Sequence, residues 1–386
     1  SQRRYSSKEK RTMDKKLGGA TTILAATLIT FAAQYALAAD AATRMRDVPV
    51  FQPDPNWPKL PNGWTMSEVS MVATDEQDNV WVLQRPVTVR KGKKTGPPVM
   101  EFDANGNYIQ GWGGPGQGYE WPEEEHGISI DHKGNVWIVG NWNDDQILKF
   151  TKAGKFIAQY GHSGRKKTNA DTQNFWMPAT AVVYPKTNEV FIADGYVNRR
   201  VVVVDADTGR FKRMWGAYGN KPDDTDLGRY RPSAPPAQQF RNPVHCAELS
   251  NDGLVYVCDR QSNRVQVFTR EGKFVNEMFL STKTGGDGSV WDIAFSKDPQ
   301  QKWMFVADGK NERIYIVDRQ KLEIVSSFGD GGRQPGQWFG AHSIAIDSKG
   351  NLYTVETYEG RRLQKFVYKG EQMVPRWQGV PWPSKK

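Results

Sequence analysis

Three of the five histidines in this 386-residue chain occupy the same position of a repeating pattern. His126, His245 and His342 each lie ten residues before the residue that opens an apolar strand pattern. Those opening residues are Val136, Val255 and Leu352. Three neutral imidazoles with a fourth position left open are typical of catalytic zinc, and imidazole also suits copper and iron. The spacing therefore predicts a three-histidine metal site, with zinc as the expected ion.

The other repeats do not use histidine at this position. They carry Ser70, Thr180 and, with one insertion, Asp292. Histidine is therefore not a packing requirement of the position. Of the two remaining histidines, His132 falls in a turn predicted on the opposite face, and His162 in a long connection on the same face.

Arg85, Tyr196 and Arg260 lie in loops that follow second strands, at the end of the repeats where the three histidines are expected. An arginine there can bind a carboxylate through two hydrogen bonds. A tyrosine beside a cation can have a lowered pKa and act as a general base. The alternative for each of the three is an ordinary surface loop residue.

A four-strand unit that recurs six times has to position these side chains. Each unit has an apolar strand, a turn of Asp/Asn-Gly type, a second apolar strand, a polar loop, and two further strands. The second strands are residues 79–83, 135–139, 190–194, 254–259, 304–308 and 351–355. Short strands repeating at about 40–60 residues are typical of propeller blades. The sequence predicts an all-β, six-bladed β-propeller over residues 69–375, with the histidines on alternate blades around the axis.

The N-terminal residues are expected to lie outside the ring. Residues 1–38 read as an N-terminal extension and signal peptide, because Lys15 and Lys16 precede an apolar run and Ala36-Leu37-Ala38 suits cleavage. The alternative is an uncleaved membrane anchor, the only basis for a membrane association. The sequence thus predicts a periplasmic or extracellular protein.

Two further segments flank the predicted ring. Residues 39–68 are predicted to be an arm packed on the ring or a linker. Residues 376–386 are predicted to be a C-terminal tail, with the first blade as a candidate closing position.

The net charge of +9 does not indicate nucleic-acid binding. Residues 1–16 carry seven Lys and Arg against two acids, so five of the nine charges lie in that segment. The rest of the chain shows no basic stripe, which excludes a nucleic-acid partner. With 12% aromatic residues, 37 glycines and 22 prolines, the chain is turn-rich and unlike a helical or disordered protein.

The two cysteines, Cys246 and Cys258, flank the turn at residues 250–253. A hairpin would place them close together on neighbouring strands, and export permits a disulfide. The sequence leaves two outcomes open, a disulfide and a pair of reduced buried thiols.

The repeats resemble NHL repeats over residues 71–370. The resemblance rests on the turn glycine, the aromatic and aliphatic second strand, and residues such as Asn263, Arg264 and Val265 at the third strand of the fourth repeat. It implies four-stranded blades of the NHL type.

A more specific set of residues resembles the core of peptidyl-α-hydroxyglycine α-amidating lyases. The set is His126-Gly127-Ile128, Asp194-Gly195-Tyr196, Pro243-Val244-His245 and His342. The resemblance implies zinc on the three histidines, Tyr196 as catalytic base, and Arg85 as the arginine that neutralises the substrate carboxylate. It further implies a carbon–nitrogen lyase that converts a carbinolamide to an amide and glyoxylate.

The chain departs from that family at several positions. The family commonly has an aspartate after the last histidine that helps to hold calcium, and here this residue is Ser343. Calcium is therefore a secondary cofactor prediction. The family's Arg-Gly in the first blade is Arg85-Pro86 here, and its cysteines are not clearly reproduced.

Two other functions remain open at this stage. One is another metal-dependent propeller hydrolase, such as a lactonase, although such sites hold calcium through carboxylate and asparagine ligands. The other is a non-enzymatic NHL propeller that binds peptide or protein through its tryptophan-rich loops (Trp112, Trp121, Trp142, Trp176 and Trp338). For the lyase, the expected partner is a small-molecule or peptide substrate with a carboxylate, and the protein is expected to be a monomer.

Overall fold

The computed structural model describes residues 45–164 and 168–383, which form six four-stranded antiparallel sheets and one two-stranded sheet. The predicted all-β, six-bladed propeller is confirmed. The described part begins with β1 (Arg46–Asp54), and the first blade is β2 (Glu68–Thr74), β3 (Val80–Arg85), β4 (Val99–Phe102) and β5 (Tyr108–Trp112). The second blade is β6 (Glu124–Ile130), β7 (Asn135–Asn141), β8 (Ile147–Thr151) and β9 (Phe156–Tyr160). The third is β10 (Thr180–Tyr184), β11 (Glu189–Asp194), β12 (Arg200–Asp205) and β13 (Phe211–Trp215).

The other three blades follow in chain order. The fourth is β14 (Val244–Leu249), β15 (Leu254–Asp259), β16 (Arg264–Thr269) and β17 (Phe274–Phe279). The fifth is β18 (Asp292–Phe295), β19 (Trp303–Asp308), β20 (Arg313–Asp318) and β21 (Glu323–Phe328). After the short parallel pair β22 (Asp330–Gly331) and β23 (Gln337–Trp338), the sixth contains β24 (Ala341–Ile346), β25 (Leu352–Glu356) and β26 (Leu363–Val374). Three single 3-10 turns lie at Pro86–Thr88, Ala217–Gly219 and Arg260–Ser262.

The first strand of each blade lines the propeller axis. β2, β6, β10, β14, β18 and β24 contact one another in sequence around the ring. Apolar side chains fill the spaces between neighbouring blades, as where Trp137 and Val139 of the second blade pack with Val190 and Ile192 of the third. Six such clusters, one between each pair of neighbouring blades, hold the described blades in a ring. The axis of the ring is lined by residues from six distant parts of the chain.

The two ends of the described chain both join the ring. β1 pairs antiparallel with β26, with Phe51 opposite Tyr368, and becomes the outer strand of the sixth blade. Part of the segment 39–68, expected as an arm or linker, is thus a blade strand. The tail lies along the fifth blade rather than the first, since the Ser327 amide donates to the Arg376 carbonyl at 2.8 Å. Residues 1–38, with the predicted signal peptide, lie outside the described residues.

A repeated aspartate holds the hairpin between the first and second strands. In three blades one carboxylate oxygen accepts the amides two and four residues on, and the other accepts a ring N–H or O–H six residues on. The aspartates are Asp75, Asp131 and Asp347, and their ring partners Trp81, Trp137 and Tyr353 lie at 3.0, 2.9 and 3.0 Å. An aspartate that binds its own following amides favours the turn. The Asp-x-x-x-Asn spacing therefore marks the hairpin between the first and second strands in these three blades.

A second repeated contact joins the end of the second strand to the start of the third. Asp259 and Arg264 form a fully buried ion pair at 2.8 Å, and the Arg264 side chain also donates to the Tyr218 hydroxyl and the Ala237 carbonyl at 2.9 Å. Asp194 with Arg200, and Glu356 with Arg362, repeat the arrangement. These pairs hold the loop that lies beside the axial face.

We expect Arg264→Met to lower the free energy of unfolding by about 3–5 kcal/mol, because Asp259 would be left as an uncompensated buried charge. Urea unfolding followed by circular dichroism measures the change. The double variant Arg264→Met/Asp259→Asn is the control and should recover part of the loss. A single variant within about 1 kcal/mol of the wild type would contradict this account of the pair.

Within the described ranges, no helix has the length and apolar character needed to span a membrane.

Candidate metal centre

Each of the three histidines lies on a β-bulge at the start of an inner strand. Glu125 pairs with Gly140 and Gly127 with Val139, so His126 is the extra residue between them. The register shifts in the same way around His245, between Val244 and Ala247, and around His342, between Ala341 and Ser343. A bulge re-aims a side chain that regular pleating would point out of one face of the sheet. The bulges therefore turn the three imidazoles toward the axis.

The three imidazoles meet on the axis, as the spacing predicted. Their ring centroids lie 5.1 Å apart for His126 and His245, 5.0 Å for His126 and His342, and 4.8 Å for His245 and His342. One nitrogen of each ring lies within 4.8 Å of the other two. All three residues are almost fully buried, with at most 3% of their surface exposed. The separations suit three ligands of one ion.

Backbone carbonyls of neighbouring blades orient the rings. The Nδ1 atom of His126 lies 2.8 Å from the Ala179 carbonyl oxygen, and that of His342 lies 2.5 Å from the Ser70 carbonyl oxygen. The Nδ1 atom of His245 contacts the Trp291 carbonyl oxygen. Because a carbonyl only accepts, Nδ1 must donate in each ring, which leaves the Nε2 lone pair free in the neutral form. Such outer contacts orient metal-binding histidines.

Burial keeps the three imidazoles neutral. Desolvation, reinforced by the positive charge of Arg85, lowers the pKa of His126 to about 3. Desolvation likewise lowers the pKa values of His245 and His342 well below the usual range, with smaller effects from neighbouring histidines and Arg260. Neutral imidazole is the ligating form. Three converging neutral nitrogens fit a transition-metal ion, and this donor set does not identify which one.

Tyr196 lies directly beside the histidines. Its hydroxyl oxygen is 2.8 Å from Nε2 of His126 and 3.0 Å from Nε2 of His245. Burial raises the pKa of Tyr196, and the charges of Arg260 and Arg85 partly offset this rise. The sequence predicted a lowered pKa for Tyr196, but the protein's own charged groups do not produce it. A bound cation would have to lower this pKa.

The loop that carries Tyr196 is held close to the fourth blade. A Cβ atom at Gly195 would overlap the backbone of Val244, so only glycine allows this approach. The side-chain amide of Asn198 donates to the Asp194 carboxylate at 2.8 Å, and the backbone amide of Tyr196 donates to the Met177 carbonyl at 2.9 Å. The Asp-Gly-Tyr pattern thus has a geometric reason in this fold.

Arg260 is brought to the same site. Its Nη1 atom lies 3.4 Å from the Tyr196 hydroxyl oxygen, and its guanidinium lies 4.5 Å from the centroid of the Trp291 ring. Its Nε donates to the Asp287 carbonyl at 2.8 Å. The arginine is 4% exposed, so its orientation is set by packing. Arg260 therefore contacts the expected base directly.

Arg85 is engaged by the protein's own acids. Its Nη1 atom lies 2.9 Å from a Glu124 oxygen and 3.2 Å from a Glu68 oxygen, while its Nε donates to the Glu125 carbonyl at 2.9 Å. Its charge still lowers the pKa values of His126 and His342. Arg85 thus borders the site, but its guanidinium is already paired.

Ser343 stands at the position where the resemblance expects an aspartate. Its side chain has no carboxylate oxygen to offer a calcium ion. The Ser343 hydroxyl is bonded to the Asp292 carboxylate, which also accepts the Ile344 amide at 3.1 Å. Burial, partly offset by these bonds, raises the pKa of Asp292 to about 6. The Asp292 carboxylate therefore lies next to His342, where it is hydrogen-bonded to the two residues that follow this histidine.

The other two histidines lie on the surface. His132 is exposed in the turn after β6, and His162 is exposed beside Glu120, with Nδ1 at 3.1 Å from a carboxylate oxygen. Neither belongs to the axial cluster.

The two cysteines form a disulfide. Cys246 on β14 is bonded to Cys258 on β15, with a Cα–Cα distance of 4.8 Å and both residues fully buried. The structure thus decides between the two outcomes that the sequence left open. The bond lies one residue from His245.

The sequence missed the groups that orient the rings. Three of these groups are backbone carbonyls, which have no residue signature. They lie at or just before the residues that occupy the histidine position in the other three blades, namely Ser70, Thr180 and Asp292. Trp291 was also missed, although it directly precedes Asp292.

The fold and the axial site together define the class of this protein, a six-bladed propeller with a buried three-histidine cluster. NHL repeat-containing protein 3 of Mus musculus is 24% identical over 343 residues, which cover 84% of this chain and 86% of that protein. Peptidyl-alpha-hydroxyglycine alpha-amidating lyase 1 of Drosophila melanogaster is 24% identical over 343 residues, or 81% of this chain and 59% of that protein. The chain is an NHL-repeat propeller related to NHL repeat-containing protein 3 and to these lyases.

Two further comparisons add nothing on function. No protein-family model matches the chain. Among solved structures, virginiamycin B lyase from Staphylococcus aureus has a TM-score of 0.48 and 14% identity, covering 86% of this chain and 89% of that one. At this score the likeness has no bearing on the site.

Proposed function

We propose that this protein is a zinc-dependent carbon–nitrogen lyase that cleaves an α-hydroxyglycine-like substrate to an amide and glyoxylate. The observation that carries the proposal is the Tyr196 hydroxyl, which lies 2.8 and 3.0 Å from two histidine Nε2 atoms and 3.4 Å from Arg260. A base, a cation and a metal-ligand set within one buried site suit the removal of a hydroxyl proton. The relatedness to amidating lyases supports the same chemistry.

His126, His245 and His342 would hold the zinc ion through Nε2. A bound zinc ion supplies Lewis acidity toward a substrate oxygen. In its phenolate form, Tyr196 accepts the proton of the α-hydroxyl group and, as the resulting phenol, returns it to the amide nitrogen as the carbon–nitrogen bond breaks. The hydroxyl oxygen becomes the aldehyde oxygen of glyoxylate, so the reaction is a balanced elimination without a redox step.

Arg260 and Arg85 have different electrostatic roles in this proposal. Arg260, stacked on Trp291 and aimed at Tyr196, binds the substrate carboxylate. Arg85 contributes positive potential next to His126 and orders β6 through the Glu125 carbonyl, since its Nη1 atom is already paired with Glu68 and Glu124. This division differs from the one the resemblance implies, in which Arg85 is the carboxylate partner.

The direct test is the conversion of α-hydroxyhippurate by the zinc-loaded protein. We expect benzamide and glyoxylate in equal amounts, at a rate well above the spontaneous decomposition measured without protein. Hippurate, which lacks the hydroxyl group, is the matched control and should yield neither product. A rate equal to the spontaneous one would contradict the lyase proposal for this substrate.

A binding function for the axial face is the second candidate. Trp142 follows β7 and is 64% exposed, and Phe339 and Tyr358 flank the His342 end of the sixth blade at 44% and 49%. By contrast Trp338, another of the tryptophans expected in loops, is fully buried, and Trp112, Trp121 and Trp176 are partly buried. Exposed aromatic groups beside the site suit a peptide. Peptide binding that survives metal removal would favour this candidate.

The disulfide fits a location outside the cytoplasm, because reducing compartments rarely keep such bonds. We propose a periplasmic or extracellular location. The substrate would then be a carboxylate-bearing small molecule or peptide in that compartment, and the protein would act as a monomer.

A further inference from the structure

We propose that the Cys246–Cys258 disulfide is a positioning device for His245, and that it sets the metal affinity of the axial site. This inference rests on the proposed metal site. The three histidines share one geometry, a bulge that presents Nε2 to the axis. A bulge interrupts the strand ladder, so the residue it presents is held only as firmly as its flanking residues are held.

Two of the three bulges are held by a side chain from a neighbouring blade. In the second blade, Arg85 of the first blade donates through Nε to the carbonyl of Glu125, the residue before His126, at 2.9 Å. In the sixth blade, Asp292 of the fifth blade accepts the Ser343 hydroxyl and, at 3.1 Å, the Ile344 amide. Each contact fixes the backbone within two residues of the ligand.

The bulge of the fourth blade is held differently, because its contact with the third blade joins backbone groups: the Val244 amide donates to the Gly195 carbonyl at 3.3 Å. Among the described residues, no side chain outside this bulge hydrogen-bonds to the backbone of residues 244–247. The disulfide takes that place. The pairs Val244–Asp259 and Ala247–Val257 leave His245 and Cys246 opposite the single residue Cys258. The covalent bond therefore spans the bulge itself.

The other histidine blades show what normally occupies this position. The pairs that follow the bulge there are Gly127–Val139 and Ser343–Val355, which are not covalent. A slip of one residue moves a strand by about 3.3 Å and reverses its side-chain faces. A disulfide cannot accommodate such a slip, because the Cβ atoms of the two cysteines would then point to opposite faces of the sheet. Cys246 and Cys258 thus hold β14 and β15 in the register that aims His245.

This placement has a consequence that a purely stabilising bond would not have. Loss of the bond releases one of three ligands while the other two keep their supports. Contacts that orient a metal ligand are typically worth 10–100-fold in metal affinity. We therefore expect the zinc dissociation constant to rise about 10-fold or more when the bond is absent, with the propeller still folded.

The test is the double variant Cys246→Ala/Cys258→Val, which introduces the valine that the second and sixth blades carry. Zinc affinity is measured by competition with a chromophoric chelator, and ligand geometry by the visible spectrum of the cobalt-loaded protein. The control is Ile316→Ala, which opens a cavity between the fifth and sixth blades, in a cluster that contains no residue of the fourth blade. Melting temperature and circular dichroism are recorded for both.

We expect weaker zinc binding and an altered cobalt spectrum in the cysteine variant, and wild-type values in Ile316→Ala despite its lower melting temperature. Wild-type affinity in the cysteine variant would overturn the inference and leave the metal site intact. Equal weakening in both variants would overturn it as well, because the bond would then act only through stability. A wild-type protein that binds no zinc would overturn the metal site together with this inference.

If the cysteine variant does not fold, a second measurement on the wild-type protein tests the inference. The folded wild-type protein is reduced with a phosphine, the free thiols are counted by mass spectrometry after alkylation, and the zinc titration is repeated on the folded fraction. Weaker binding after reduction supports the inference, and unchanged binding contradicts it.

Discussion

The double variant His126→Ala/His245→Ala is expected to lose the bound metal completely. The wild-type protein should carry about one zinc per chain, because three histidine nitrogens and one open position are the ligand set of a catalytic zinc site. Two of the three nitrogens are absent in the variant. His342 alone, with its Nδ1 donated to the Ser70 carbonyl, offers a single ligand. Elemental analysis of the purified, dialysed proteins measures the content.

The matched control for this experiment is His132→Ala. His132 is also a histidine of the second blade, but it is exposed in the turn at the other end of β6. Its removal should leave the metal content unchanged. Equal metal in the double variant and the wild type would show that the ion binds elsewhere, and no metal in either would reduce the histidine cluster to packing and favour a binding propeller.

The variant Tyr196→Phe is expected to abolish turnover while the metal is retained. The substitution removes one oxygen atom, which lies 2.8 Å from His126 Nε2 and 3.0 Å from His245 Nε2. General acid–base groups contribute about 10²- to 10⁴-fold to the rate, so a loss of at least this size is expected in kcat. The histidines keep their carbonyl partners and should bind zinc as before. Glyoxylate release from α-hydroxyhippurate and elemental analysis measure the two quantities.

Tyr230→Phe serves as the comparison. Tyr230 donates its hydroxyl to the Thr282 carbonyl at 2.8 Å in the connection before the fourth blade, and it makes no contact with the histidines. The loss of this hydroxyl should leave kcat unchanged. Full activity in Tyr196→Phe would remove Tyr196 from the role of base, and loss of metal together with activity would make it a structural part of the site.

The blades could be read from the chain because each is held by local contacts. The repeated aspartate binds amides two and four residues on, and the Asp259–Arg264 pair spans only five residues. Such contacts leave a pattern in the sequence at a fixed spacing. The ten-residue interval from each histidine to the next strand is a product of the same hairpin, so the three ligands could be named from spacing alone.

The ring closure could not be read in the same way. β1 pairs with β26, which lies more than 300 residues away in the chain, as in the pair Phe51–Tyr368. The backbone hydrogen bonds that pair two strands carry no residue signature, so residues 46–54 by themselves do not identify β26 as their partner. The tail likewise meets the fifth blade through the backbone bond from the Ser327 amide to the Arg376 carbonyl, with the Ser326 hydroxyl donating to the Pro375 carbonyl at 3.0 Å.

The sequence by itself determined the all-β repeat, the number of blades, and three histidines at one height on alternate blades, because these follow from local periodicity. Only the tertiary structure decided how the site is oriented. The carbonyls of Ala179, Trp291 and Ser70, the pairing of Arg85 with Glu68 and Glu124, and the approach of Tyr196 to His126 and His245 join residues that closure of the ring brings together. Backbone groups carry no residue signature, and contacts across blades have no fixed spacing. Their geometry therefore exists only once the ring has closed.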